Sequence, residues 1–297
     1  MELREKVVRP RLRVLCLYLM ILFIFWTIGF MFGFFLIRDY WWVFVLAFHI
    51  LAMVPIITSY FYSEKAILKS YQAEIVEPRD VQKLWQSVMR VNSFFNLPQP
   101  RLAVSDVRTP NAFAIGRHPD NSIIVVTKGL LENLDDRQLD GVIAHVLALI
   151  KDRDILILTI AGAASSSIAF VAGRGMKLLR FARGSGYAVL LVAIALVFSI
   201  PLAVFFLKIS ISRARVFRAD WTAALTIRRP KDVANALQKL EMQNRLIPID
   251  VGNPASSCIF VINPFHGTRL ARLLDTHPPV EERVKVLRKM AMETVSL

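Results

Sequence analysis

Apolar residues fall along this chain in long blocks, and the segments between them carry helix or strand patterns. Val14 to Ile37 holds no charged residue. A helix rising about 1.5 Å per residue over that stretch covers a bilayer core of about 30 Å. The block is longer than the core of a cleavable leader, and no small-residue cleavage site follows it, so it reads as a retained anchor. Arg38 to Trp42 is a short turn with interfacial aromatics, and Val43 to Tyr62, with His49 and Pro55, is a second span. Ile155 to Gly173 is a weaker block holding Gly162 and Ser165 to Ser167, small residues that suit close helix packing. Ala188 to Ile211 is the last block, broken by Pro201.

The remaining segments have the periodicity of a folded domain. Asp80 to Phe95 is amphipathic at helical spacing through Val81, Leu84, Val88 and Val91. Arg101–Val107 and Ser122–Thr127 read as short strands, with Pro110 to Asn121 a turn-rich link between them. Lys128 to Leu134 starts a short helix, and Asp135 and Asp136 cap the next, from Arg137 to about Arg153. Further helices are expected around Arg213 to Thr226, Asp232 to Glu241 and Val280 to Ala291. The predicted organisation is therefore a tail (1–13), transmembrane helices (14–37 and 43–62), and a domain in two parts (63–154 and 212–297). An apolar hairpin (155–211, with runs 155–173 and 188–211) divides that domain, either transmembrane or partly inserted.

Charge sharpens this picture. The chain has 37 Lys and Arg against 23 Asp and Glu, for a net charge of +14. The basic residues flank the apolar blocks, which favours a membrane surface as partner, and no motif for nucleic acid accompanies them. Arg4, Lys6, Arg9, Arg11 and Arg13 ahead of Val14 put both termini and the folded domain on the cytoplasmic side of a cell membrane. The loop joining the last two blocks opposes this, with Arg174, Lys177, Arg180 and Arg183 and no acid. Either that hairpin does not cross fully, or the first two spans dominate orientation. Cys16 and Cys258 have no second cysteine at metal-ligand spacing, so redox compartment and oligomeric state stay open.

The helix beginning near Arg137 contains the candidate chemistry. Gly141 to Asp154 reads Gly-Val-Ile-Ala-His-Val-Leu-Ala-Leu-Ile-Lys-Asp-Arg-Asp. In an H-E-x-x-H helix two His four apart share a face and bind zinc, while the Glu takes a proton from metal-bound water. Only the first His is present here, as His145; Val146 stands at the Glu position and Leu149 at the second His. A single His on an apolar helix is by itself a weak signal, more often a satisfied core residue than a ligand.

Other segments strengthen it. Pro110-Asn111-Ala112-Phe113-Ala114 and Val125-Val126-Thr127-Lys128-Gly129-Leu130-Leu131 come first. Arg153-Asp154 closes the helix, Ser212-Arg213-Ala214-Arg215-Val216-Phe217-Arg218-Ala219-Asp220 follows the last apolar block, and Phe260-Val261-Ile262-Asn263-Pro264 and Thr276-His277-Pro278-Pro279-Val280-Glu281-Glu282-Arg283 end the series. In that order the chain resembles the HtpX-like family of membrane zinc metalloproteases, relatives of the prenyl-protein and Oma-type proteases, from about the second span to the last helix. The resemblance implies a zincin fold, a third zinc ligand where Val216 now stands, an Asp (Asp220) that supports a zinc-binding His, and a His-Pro (His277) near the cleft. It also implies an extended substrate along a strand edge, with Asn111, Ala112 and Phe113 as candidate contacts.

The expected fold is α+β: a multi-pass helical membrane bundle with a mostly helical zincin-like domain carrying a small β-sheet. No intact catalytic or metal site is expected, because Val146, Leu149 and Val216 are aliphatic; His145, Asp220 and His277 are the remnant. The leading reading is a membrane-embedded pseudoprotease that binds polypeptide or membrane-protein partners, with lipid as its surroundings and no cofactor. Two alternatives stand beside it: an active zinc-dependent membrane endopeptidase in protein quality control, with zinc as cofactor, and a purely structural membrane subunit. Metal content separates the enzyme from the pseudoprotease.

Overall fold

A computed structural model describes residues 41–161, 213–252, 254–265, 275 and 277–293, with isolated positions between 19 and 34. The chain divides into two compact units, Met1–Ser63 and Glu64–Leu297. Helix α1 (Trp41–Ser70) begins in the first and ends in the second. Within the first unit, the Trp26 indole N–H donates to Nδ1 of His49 at 2.9 Å, which gives that histidine a local partner.

The second unit is built on a four-stranded sheet in the order β1-β2-β4-β3. β1 (Ala73–Val76) pairs antiparallel with β2 (Arg101–Ser105). β2 runs parallel to β4 (Ile123–Thr127), and β3 (Ala112–Ile115) returns antiparallel along β4. Every residue of β3 and β4 is buried. That explains why β4 is a continuous Ile-Ile-Val-Val run instead of an alternating one. Tight connections hold the sheet to its helices. A Cβ at Gly129 would come within 1.8 Å of the Arg108 carbonyl oxygen, so only glycine lets helix α3 (Lys128–Asn133) start there.

Helix α4 (Asp136–Lys151) is the central element. It opens with a capping box: the Asp135 carboxylate accepts from the Gln138 backbone N–H at 2.9 Å, and the Gln138 side chain accepts from the Asp135 N–H at 3.3 Å. From Leu139 to Ile150 it is buried without a break, packed among α2 (Gln82–Phe95), β3, α5 (Arg213–Ile227) and α6 (Pro230–Leu246). A helix apolar on all sides is the mark of a core helix. Its one buried acid in that stretch, Asp140, is met by Ser87 at 2.7 Å and by a two-pronged contact from Arg90 at 2.9 and 2.8 Å. Helix α7 (Val280–Glu293) closes the unit against α6 and α5.

The expected multi-pass membrane bundle is corrected here. Among the described residues no helix is long and apolar enough to cross a membrane. The expected span 43–62 lies inside α1, which continues through Glu64, Lys65 and Lys69, and whose last turns bury Ile67 in the core of the second unit. The expected run 155–173 begins, over its helical residues 155–161, as protein core. Ile155, Leu158 and Ala161 join the apolar cluster, and the Thr159 hydroxyl both accepts from the Gly116 N–H at 3.0 Å and donates to the Gly116 carbonyl at 3.3 Å. Apolar runs were read as lipid-facing, yet much of the described apolar residue content goes into a sheet and helix core. Most of 14–37 and all of 162–211 lie outside the described residues.

Candidate functional site

α4 and α5 pack against each other and carry the remnant between them. Nδ1 of His145 on α4 lies 2.7 Å from Oδ1 of Asp220 on α5. Near the other end of the contact Arg218 bonds Asp152 at 2.8 Å and Asp154 at 2.7 Å, and Arg215 lies 3.3 Å from Asp154. These pairs fix an antiparallel register. His145 and Leu149 are one turn apart on α4, and Asp220 and Val216 one turn apart on α5. Leu149 and Val216 thus each lie one turn from the His145–Asp220 pair on their own helix. Val146, Leu149 and Val216 are all buried.

The partner that sequence reasoning missed is Arg283 on α7, a fully buried side chain. Its Nε and Nη2 donate to Asp220 at 2.7 and 2.8 Å, and its Nη1 donates to the Val261 carbonyl at 2.7 Å. The signal was present in the pattern. The buried face of α7 reads Val280, Arg283, Val284, Leu287, Met290 and Ala291. An arginine inside an apolar stripe needs a buried acceptor.

Electrostatics follow from these contacts. Burial alone would raise the Asp220 pKa, but the Arg283 guanidinium and His145 outweigh it and bring it to about 2. Asp220 is thus a carboxylate that only accepts. Burial is also the main influence on His145 and pushes its pKa below the ordinary value, against the pull of Asp220. A neutral His145 must then carry its proton on Nδ1, donate it to Asp220, and hold its lone pair on Nε2.

The other expected residues are placed as follows. Nε2 of His277 donates to the Phe260 carbonyl at 2.9 Å, and its backbone N–H bonds Asp275 at 3.0 Å. Asn111 is buried, donating from Nδ2 to the Ile262 carbonyl at 2.7 Å and accepting the Ala112 N–H at 3.0 Å. Ala112 and Phe113 are buried in β3, and the Ala112 carbonyl accepts from the Val261 N–H at 3.0 Å. Of the histidines not expected at the site, His118 is half-buried, 2.7 Å from Asp120, and His266 lies outside the described residues.

A zinc site asks for three protein ligands and an open position. Here His145 offers one lone pair, both Asp220 oxygens are engaged by Arg283 and His145, and Nε2 of His277 is engaged by a carbonyl. Among the described residues no three His, Cys, Asp or Glu side chains are placed to hold a metal. The residues present do not fit the ion.

What the geometry defines is a buried His145–Asp220–Arg283 constellation, with Val146, Leu149 and Val216 also buried. The model of peptidase family M48 matches residues 77–291, and the chain belongs to that family. Its relatives include the protease HtpX homolog of Methanocaldococcus jannaschii, 40% identical over 246 residues, covering 81% of this chain and 86% of that protein. The protease HtpX homolog of Thermococcus sibiricus is 39% identical over 246 residues (81% and 84%). That of Pyrococcus furiosus is 38% identical over 238 residues (79% and 82%).

Two outcomes are expected. Asp220→Ala leaves the Arg283 charge buried without its acceptor and should cost about 3–5 kcal/mol in denaturant unfolding, whereas Asp220→Leu with Arg283→Met should cost much less. Equal losses in the single and double variants would show that the ion pair is not what the buried charges depend on. The second outcome concerns pH. His145 has a folded pKa below its unfolded value of 6.5, so its contribution is present above about 6.5 and is lost as pH falls below that. Asp220, with a folded pKa of about 2 against 3.8, adds a second loss as pH falls from about 4 towards 2. His145→Gln should flatten the upper limb of the stability profile and leave the lower one. An unchanged upper limb would assign it to another group.

Proposed function

We propose that this M48 member is a pseudoprotease: it keeps the peptidase framework, binds a polypeptide or partner subunit, and does not cleave it. One observation carries the reading. Val146, Leu149 and Val216, the positions that the family resemblance assigns to the general base and two zinc ligands, are buried aliphatic side chains, and His145 and Asp220 are paired. Without a metal there is no water of lowered pKa, and without a carboxylate at position 146 there is no base to receive its proton. Valine and leucine also leave no buried charge that would need a cation.

The proposal includes attachment at the cell membrane, with the unit from Glu64 onward facing the cytoplasm. Its support is the uncharged stretch Val14–Ile37 behind a basic tail. In a background without Cys16 and Cys258, a single cysteine at Asp80 should resist an impermeant reagent in intact cells and react once the membrane is opened. Labelling in intact cells would reverse the orientation.

Purified protein should hold far less than one zinc per chain by elemental analysis and should not cleave casein. Val146→Glu, Leu149→His and Val216→Glu together should restore zinc binding, since His145 and position 149 already share a helix face and Asp220 already orients an imidazole. Partial revertants should be less stable than the parent, each burying a polar group without its metal. Tightly held stoichiometric zinc in the parent, or chelator-sensitive cleavage lost in His145→Ala, would make the protein an active endopeptidase instead.

A further inference from the structure

Strand β3 is the last strand of the sheet, and its outer edge is where an extended polypeptide would add. That edge is already occupied. Phe260 forms an antiparallel bridge with Phe113, and the Val261 N–H donates to the Ala112 carbonyl at 3.0 Å. The same short segment is held by its carbonyls from three directions. His277 takes Phe260 at 2.9 Å, Arg283 takes Val261 at 2.7 Å, and Asn111 takes Ile262 at 2.7 Å. Phe260 stacks edge-on against Phe113 and Tyr71, at 4.9 and 5.0 Å between ring centres. At the far end of β3, Gly116 is taken by Thr159.

We propose that Phe260–Ile262 is a built-in occupant of this edge, a strap that keeps extended polypeptide off β3 until its carbonyls are released. The pairing is a single bridge instead of a ladder, so main-chain bonding alone holds it weakly. The side-chain donors do the rest, and one of them, Arg283, is the same residue that neutralises Asp220 beneath His145. The strap is thereby joined to the remnant site: a change that moves Asp220 or Arg283 also loosens the covering of β3. This deepens the proposal above and rests on its claim that polypeptide is bound.

The test uses the purified chain with fluorescein-labelled, reduced and carboxymethylated casein, read by anisotropy, and hydrogen–deuterium exchange on the same samples. Val261→Pro removes the strap's backbone donor, and His277→Ala removes the donor to Phe260; neither alters β3. Each should speed exchange at residues 259–262, leave α2 protected, and tighten casein binding about fivefold or more, the factor that one ordinary net hydrogen bond holding the closed form supplies. Where the parent binds casein, faster strap exchange with that binding unchanged or weaker would overturn the proposal. If Val261→Pro also exposes α2, His277→Ala decides. A synthetic peptide copying residues 259–264 separates the strap from the client. Its binding to opened variants but not the parent, with casein bound by none, would uphold the strap and remove the polypeptide-binding reading. Failure of that peptide on an opened variant would remove the strap.

Discussion

A carboxylate cannot be stripped of water inside a protein without a partner, and Asp220 has one in Arg283. The pair ties three separate parts of the second unit together. Asp220 belongs to α5 and Arg283 to α7, and the remaining guanidinium donor goes to Val261 beside β3. The second function of the carboxylate is to accept from His145 on α4. A planar guanidinium suits this task because its donors point in fixed directions. Lysine could neutralise the charge but could not span the carboxylate and the Val261 carbonyl in the same way.

The charge balance also explains how the framework tolerates its present residues. An intact site of this type would place carboxylates near positions 146 and 216, and a divalent cation would offset them. Here both acids are absent together, and Val146, Leu149 and Val216 add no charge. What remains is one carboxylate, one guanidinium and a neutral imidazole, which sum to zero among themselves. Loss of a single acid would have left a charge uncompensated. The aliphatic replacement of the whole set leaves none, and that consistency is the physical content of the pseudoprotease reading.

Much of this was legible in the residue pattern, and the misses have identifiable causes. α4 was readable because Asp135 and Asp136 mark its start, and α2 because Leu84, Val88 and Val91 recur at helical spacing. β4 declared itself through its Ile and Val residues. β3 did not: four residues between Pro110-Asn111 and Gly116, buried on both faces, show neither alternation nor length, and the stretch read as a turn-rich link. β1 is equally short, and its paired order with β2 depends on contacts distant in sequence. The helix after Pro230 runs on to Leu246 because Leu240 and Asn244 are buried, beyond the expected end at Glu241. His145 and Asp220 could be paired in advance by resemblance. The role of Arg283 is hidden in its motif because its acceptor lies 63 residues away in sequence. The apolar run beginning at Ile155 misled, since hydropathy does not distinguish lipid from core when residues such as Ile155, Leu158 and Ala161 join the protein's own apolar cluster.

The helix that would carry the chemistry is also the helix on which the domain is built. α4 is buried from Leu139 to Ile150 and touches the sheet and the surrounding helices. Its backbone is placed by the Asp135 cap and by the Asp140 contacts with Ser87 and Arg90, all of them away from His145 along the helix. A small zinc domain that lacks its metal loses its fold, because binding energy is folding energy there. In this chain the position of α4 is set by apolar contact on every side, and each aliphatic group buried there contributes roughly 1.5–3 kcal/mol. Hydrocarbon at positions 146, 149 and 216 therefore works in the direction the core already favours. The framework keeps its shape without metal ligands at these positions because α4 is held by the apolar core around it.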